Sequence, residues 1–285
     1  MKIDLKAFFK KLYVKSFEDD IFNIAAQVAF YFSFAIFPLL LFLVTLAGFV
    51  LGTDSHFRAD LYYYLARIMP ISAFELVKNT IDEVTINSSS GKLTVGFLVA
   101  LWSASAGVDS LRSALNRVYD LRETRPWWKT KAMSLTFTFL LSTLITGALA
   151  IVFYGWKAIS FILSLMSIEV TSPFLLVTLQ WTITLGMLLI VFEVLYNVLP
   201  CRAPFRWFLD SPGAIVGILL WLLLSHGFRT YLSYWNNYNR TYGSIGAGII
   251  LMLWLYLTSL VILVGGMVNA ILGEMRTDRE ESEEE

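Results

Sequence analysis

The chain has 285 residues, of which 57% are hydrophobic and 15% charged, and its 22 basic and 22 acidic side chains cancel. A mean hydropathy of +0.65 sets it apart from soluble domains, in which about a quarter of residues are charged, and neutrality removes the electrostatic case for a nucleic-acid partner. A single cysteine, Cys201, excludes an intramolecular disulfide, and two distant histidines, His56 and His226, are too few for a metal site of the His/Cys type, so no metal or cofactor is expected.

Residues 1–20 predict a cytoplasmic, basic, amphipathic helix, with Leu5, Phe8, Phe9 and Leu12 on one face and lysines on the other, suited to an anionic inner leaflet. From Ile21 to Thr53 no charged side chain occurs in 33 residues. That run exceeds both the roughly 18 residues a helix needs to cross a hydrocarbon core and the apolar core of a signal peptide, so it predicts a retained crossing. Pro38 interrupts its backbone hydrogen bonding and is a candidate hinge.

Five further charge-poor runs complete a fold class of all-α polytopic membrane protein with six transmembrane helices, placed at about 27–50, 93–113, 132–155, 174–198, 212–230 and 244–271. Together they make a transmembrane domain over 21–273. Between the first two, an outer segment at about 55–86 carries Phe57, Leu61, Tyr64, Leu65 and Ile68 at helical spacing, breaks at Pro70 and resumes with Phe74, Val77 and Ile81. It predicts an amphipathic helical hairpin on the outer side. The aromatic loop from Thr230 to Gly243 predicts a belt at headgroup level. Small residues Gly243 with Ala247, and Ser244 with Gly248, predict close helix packing at the start of the sixth span. The acidic end, 274–285, predicts a disordered tail.

Lysine and arginine set the threading, because the cytoplasmic side holds their excess. With the N-terminus inside, the inner segments hold fifteen basic residues and the outer ones seven, which puts both termini in the cytoplasm.

Ionisable and amide side chains within lipid are functional candidates, since they face a cavity or a partner. Glu193, in the inner half of the fourth span, is the foremost, with Arg112, Arg117 and Arg206 as cations on its side of the membrane. At similar depth lie Asn23 and Gln27 on the first span, Ser103, Ser105 and Asp109 on the second, Asn197 on the fourth and Asn269 on the sixth. If the spans form one bundle, these groups converge on a polar cavity open to the cytoplasm. The segment Gly91 to Trp102 also echoes Gly243 to Trp254, with identities at the first, sixth, eleventh and twelfth positions, consistent with an internal repeat.

The runs AAQVAFYFSFAIFPLLLFL, LWSASAGVDSLRSALNRVYD, LYNVLPCRAPFRWFLDSPGAIVGILLW and YNRTYGSIGAGIILMLWLYLTSLVILVGGMVNAIL occur in one order along nearly the whole chain. In this they resemble the YihY/BrkB family of bacterial inner-membrane proteins. Met267 stands where that family usually carries an acid, while Asn269 matches its pattern. The resemblance implies an inner-membrane location and carries an old ribonuclease label. A metal-dependent nuclease needs clustered histidines and aspartates, which this chain lacks, so ribonuclease activity is rejected and no enzyme is expected. The expected partners are membrane lipids; the sequence gives no oligomeric state. The leading expectation is a transporter or flippase for a lipid or other amphiphile, the alternative a structural or partner-binding envelope protein.

Overall fold

The structure is a computed structural model that describes residues 5–35, 62–63, 78, 90–144, 147, 173–201, 211–234 and 238–284. The described residues are helical apart from short connections. In chain order the helices are α1 (Leu5–Glu18), α2 (Ile21–Ala35), α3 (Ser90–Val118), α4 (127–144), α5 (Pro173–Asn197), α6 (Pro212–Tyr234) and α7 (Tyr238–Glu284). The proposed hinge Pro38, most of the outer hairpin, His56 and Arg206 lie outside the described residues, as do the side chains of Gly243, Ser244 and Ala247.

Among the described residues, three stretches are long and apolar enough to cross a membrane: Val177–Asn197, Pro212–Leu232 and Gly248–Arg276. Only 17, 11 and 22% of their most apolar windows are buried within the protein. Trp181, Leu219 and Leu223 are 58, 61 and 70% exposed, an arrangement that water would penalise and hydrocarbon accepts.

The core sits at one end of the bundle. Ile21 and Val28 of α2, Leu111, Leu115 and Val118 of α3, Tyr196 of α5 and Leu263, Met267 and Ile271 of α7 are almost fully buried there. Glycines set how closely the helices approach. A Cβ on Gly213 of α6 would collide with the Gly265 carbonyl of α7, and one on Gly265 would strike the Tyr196 hydroxyl. Gly217 faces Phe192 and Tyr196 in the same way. Among the described helices the α6/α7 pair consequently makes the most extensive contact, and Tyr196 Oη of α5 donates to the Ile262 carbonyl of α7 at 2.8 Å beside it. At Gly248, where the small-residue pattern predicts such packing, no described atom lies within 4 Å of a built Cβ. The intimate contact falls about five turns further along α7, where α5 and α6 converge on it.

Two aspartates turn the chain at this end. Asp20 and Asp120 have φ of 55° and 54°, the left-handed conformation that ends a helix and that short polar side chains tolerate. Around Asp120 the bonds Leu121 N–H to Asn116 O (2.8 Å) and Asp120 N–H to Arg117 O (3.1 Å) close the final turn of α3.

Helix α1 lies against the bundle end, with Phe8 and Leu12 packed on the core and Leu5 and Phe9, 65 and 61% exposed, turned outward. The single apolar face expected for it is thus divided between protein and surroundings. Lys15 fixes this orientation by bonding Asp120 (2.5 Å) and Glu274 (3.2 Å). Burial disfavours its charge, yet the hydrogen bonds to Asp120 and Glu274 leave its pKa raised. Where the acidic end predicts disorder, α7 continues as helix to Glu284, through a segment rich in Glu and Arg, which are good helix formers.

Candidate functional site

Apart from Asn23 and Ser103, the polar residues picked out in the sequence divide into two separate groups, and the division follows from which face of each helix they occupy. The first group is dry. Glu193 is 4% exposed on α5, and its Oε1 accepts both the backbone N–H and the hydroxyl of Ser211, each at 2.9 Å. Its Oε2 accepts the Asn197 amide at 2.7 Å. Ser211 is the cap of α6, Pro212 contributes no N–H, Gly213 N–H donates to Asn269 Oδ1 of α7 at 2.7 Å, and Ala214 N–H returns to the Ser211 carbonyl at 3.0 Å. Every backbone donor from Ser211 to Ala214 is therefore satisfied, two of them by side chains of neighbouring helices. A carboxylate beside a helix N-terminus also meets the positive end of the helix dipole.

Of the cations expected near Glu193, neither Arg112 nor Arg117 bonds to it, and Arg206 lies outside the described residues. Arg112 instead pairs with Glu123, at very short range, and with Asp109 at 3.7 Å. Among the described residues the groups bonded to Glu193 are neutral. Glu193, Asn197 and Asn269 hold α5, α6 and α7 together and do not line the cavities described next.

The second group lines open cavities. A cavity of about 350 Å³ opens between α2 and α3, lined by Gln27 and Tyr31 on one wall and by Asp109, Ser110, Ser113 and Arg117 on the other. Beside it, a cavity of about 490 Å³ runs around the end of α3 past Asn116, Arg122 and Glu123. Ser113 and Arg117 belong to both, so the two form one continuous groove. The periodicity explains the wall, since Ser110, Ser113 and Arg117 stand three and four residues apart and share one face of α3.

Behind this wall lies a charge network that the sequence reading missed. Lys131 of α4 donates to Ser105 Oγ (2.6 Å) and to Asp109 (3.1 Å), and Ser134 donates to Asp109 at 2.5 Å. The ammonium also lies 4.5 Å from the Trp102 ring. Thr130, Ser134, Thr138 and Ser142 are all buried at intervals of four, a hydroxyl stripe that could have been read from the sequence. Asn23 is exposed and donates to both Asp20 oxygens at 2.8 Å, and Ser103 is half-buried outside the groove lining.

At the α3–α4 corner, Glu123 accepts Arg125 Nε at 2.7 Å and Asn116 Nδ2 at 3.1 Å. The Arg125 side-chain hydrogen bonds dominate and hold the Glu123 carboxyl down at about 2. Arg125 reaches on to the Leu199 carbonyl (3.2 Å), and Asn116 Oδ1 accepts the Cys201 N–H (2.7 Å). The corner is thereby fastened to the end of α5.

A helical bundle with apolar side chains turned outward along its longest helices, and a buried carboxylate bonded to neutral donors inside it, defines an integral membrane protein. The chain belongs to the BrkB family: residues 12–285 match the family described as Virulence factor BrkB. It is 34% identical over 251 residues to the ribonuclease-like protein YfkH of Bacillus subtilis (strain 168), spanning 87% of this chain and 88% of that one. A UPF0761 membrane protein of Cronobacter sakazakii (strain ATCC BAA-894) is 28% identical over 99% of this chain and 93% of its own. A third relative, the UPF0761 membrane protein PSHAa0171 of Pseudoalteromonas translucida (strain TAC 125), is 26% identical over 90% and 82%. No solved structure matches the chain.

Proposed function

We propose that this protein is a transporter or flippase for a lipid or other amphiphile, resident in the bacterial inner membrane with six crossings and both termini in the cytoplasm. The observation that carries the reading is the α2–α3 groove, whose lining of Gln27, Tyr31, Asp109, Ser110 and Ser113 adjoins exposed aromatic side chains of α2. Phe30 and Phe34, 50 and 67% exposed, stack with ring centroids 4.8 Å apart. A polar trough with an apolar shoulder matches the two halves of an amphiphile. The threading is supported by the basic-residue excess of fifteen to seven and by the meeting of α1, the α3–α4 corner, Cys201, Ser211 and Glu274 at one end of the bundle. Glu193, placed first by the sequence, has no part in this route. The ribonuclease-like name of the Bacillus relative does not enter the reading, because no catalytic arrangement in this sequence supports it.

The test is translocation of a fluorescent phospholipid in reconstituted vesicles, followed by quenching from outside. The expected result is a protein-dependent rate that Ser113→Trp, which fills the groove, returns to the protein-free value. A rate that Ser113→Trp leaves unchanged removes the groove from the route.

A second reading has its own support. The fully satisfied Glu193–Ser211–Asn197 cluster and the Gly213–Gly265 crossing fix three helices rigidly, as a structural or partner-binding envelope protein requires. Absence of translocation in the same vesicles would favour it.

A further inference from the structure

Of the cations around the groove, most are already engaged. Asp109 binds Lys131, Asp120 binds Lys15, and Glu123 binds Arg112 and Arg125. Arg117 and Arg122 differ: both line the groove, both are exposed, and neither guanidinium has a hydrogen bond or ion pair among the described residues. Asp19, across the α1–α2 turn, is close enough to feel the charge of Arg117 without pairing to it. Two guanidiniums unpaired among the described residues, set in a concave polar surface, hold positive charge and planar donor forks ready for an anion.

The order of the lining residues gives the anion a direction. Along α3 the groove passes Ala106, Asp109, Ser110, Ser113 and Arg117, then Arg122 beyond the helix end. It thus runs from the Tyr31 level beside the exposed aromatics of α2 to the charged corner. A ligand lying in it meets apolar rings at one end, hydroxyls in the middle and guanidiniums at the other.

Resting on the reading of this groove as a ligand site, we infer that it selects anionic phospholipids: Arg117 and Arg122 clasp the headgroup phosphate, Ser110 and Ser113 face the glycerol esters, and the acyl chains leave past Tyr31 and Phe34. Zwitterionic phospholipids carry the same phosphate but bring their own cation, which the two arginines repel.

The test uses the full-length protein purified from mixed vesicles of phosphatidylglycerol and phosphatidylcholine, with retained lipids counted by native mass spectrometry. Phosphatidylglycerol should be retained over phosphatidylcholine by at least about tenfold, a difference of about 1.4 kcal/mol. Arg117→Gln with Arg122→Gln should remove that preference. Arg117→Lys, which keeps the charge and loses the fork, should retain part of it. Lys129→Gln, an exposed lysine outside the groove lining, should change nothing. Equal retention by the parent protein, or an undiminished preference in the double glutamine variant, would overturn the inference. Displacement of the bound lipid by millimolar glycerol phosphate would assign the site to a soluble phosphate ester and overturn it likewise. Selective retention without translocation would defeat the carrier reading and leave this site standing.

Discussion

Ser211 presents both its backbone N–H and its hydroxyl to the same oxygen of Glu193, each at 2.9 Å, so one carboxylate on α5 anchors the first turn of α6. The acid that looks most functional in the sequence is a helix cap delivered from a neighbouring helix. Its second oxygen holds Asn197, and α7 supplies the adjoining cap through Asn269.

Glu193→Gln should therefore weaken the fold before it touches any transport rate. Glutamine keeps one acceptor where three donors converge, leaving a buried donor facing an amide, at a cost of about 1–3 kcal/mol. Glu193→Ala should cost more, and Ser211→Ala less, because the backbone N–H remains bonded. Thermal melts in detergent give the order; an unshifted midpoint in Glu193→Gln would contradict the capping role.

Glycine substitutions should separate the two ends of α7. Gly265→Ala drives a methyl into the Tyr196 hydroxyl and the Gly213 backbone, and overpacking of this kind costs about 1–3 kcal/mol. Gly248→Ala meets open space among the described residues and should be neutral or stabilising by up to ~1 kcal/mol through helix propensity. Detergent melts of both variants check this, and equal destabilisation would contradict the mapped crossing.

The α3–α4 corner should carry an acid-sensitive contribution to stability. Arg125 holds the Glu123 carboxyl at about 2, below its ordinary 4.5. Since the folded value is the lower one, this stabilisation is complete above about pH 4.5 and disappears as pH falls through about 2. The midpoint difference between the parent and Glu123→Gln should accordingly be constant at neutral pH and shrink across that window. A difference that persists unchanged at pH 2 would show that Glu123 acts by packing alone.

Cys201 offers a direct check on threading, being the only thiol in the chain and lying where Asn116 and Thr124 fasten the end of α5. A membrane-impermeant maleimide should modify it in inverted vesicles and spare it in right-side-out ones. The opposite pattern would reverse the orientation.

Much of the architecture was legible along the chain. The runs placed at 174–198 and 212–230 emerge as α5 and α6, Pro173–Asn197 and Pro212–Tyr234, because a long charge-free stretch needs no knowledge of its neighbours to be recognised. The site was less legible. Gln27 and Asp109 do face one groove, whereas Glu193, Asn197 and Asn269 face the interior, and nothing in their spacing distinguishes the two outcomes. Arg112 was a sound choice of cation by charge and depth, yet Glu123, eleven residues away in sequence around the helix corner, takes it.

The sequence by itself determined that this protein lives in a membrane and that the apolar runs at 174–198 and 212–230 are helical, since hydrophobic length and periodicity are local properties of consecutive residues. Only the tertiary structure decided which polar groups are structural pins and which remain open to a ligand. That choice depends on how each helix is rotated about its axis and how closely glycine lets it approach the next, and both follow from contacts between residues far apart in the chain.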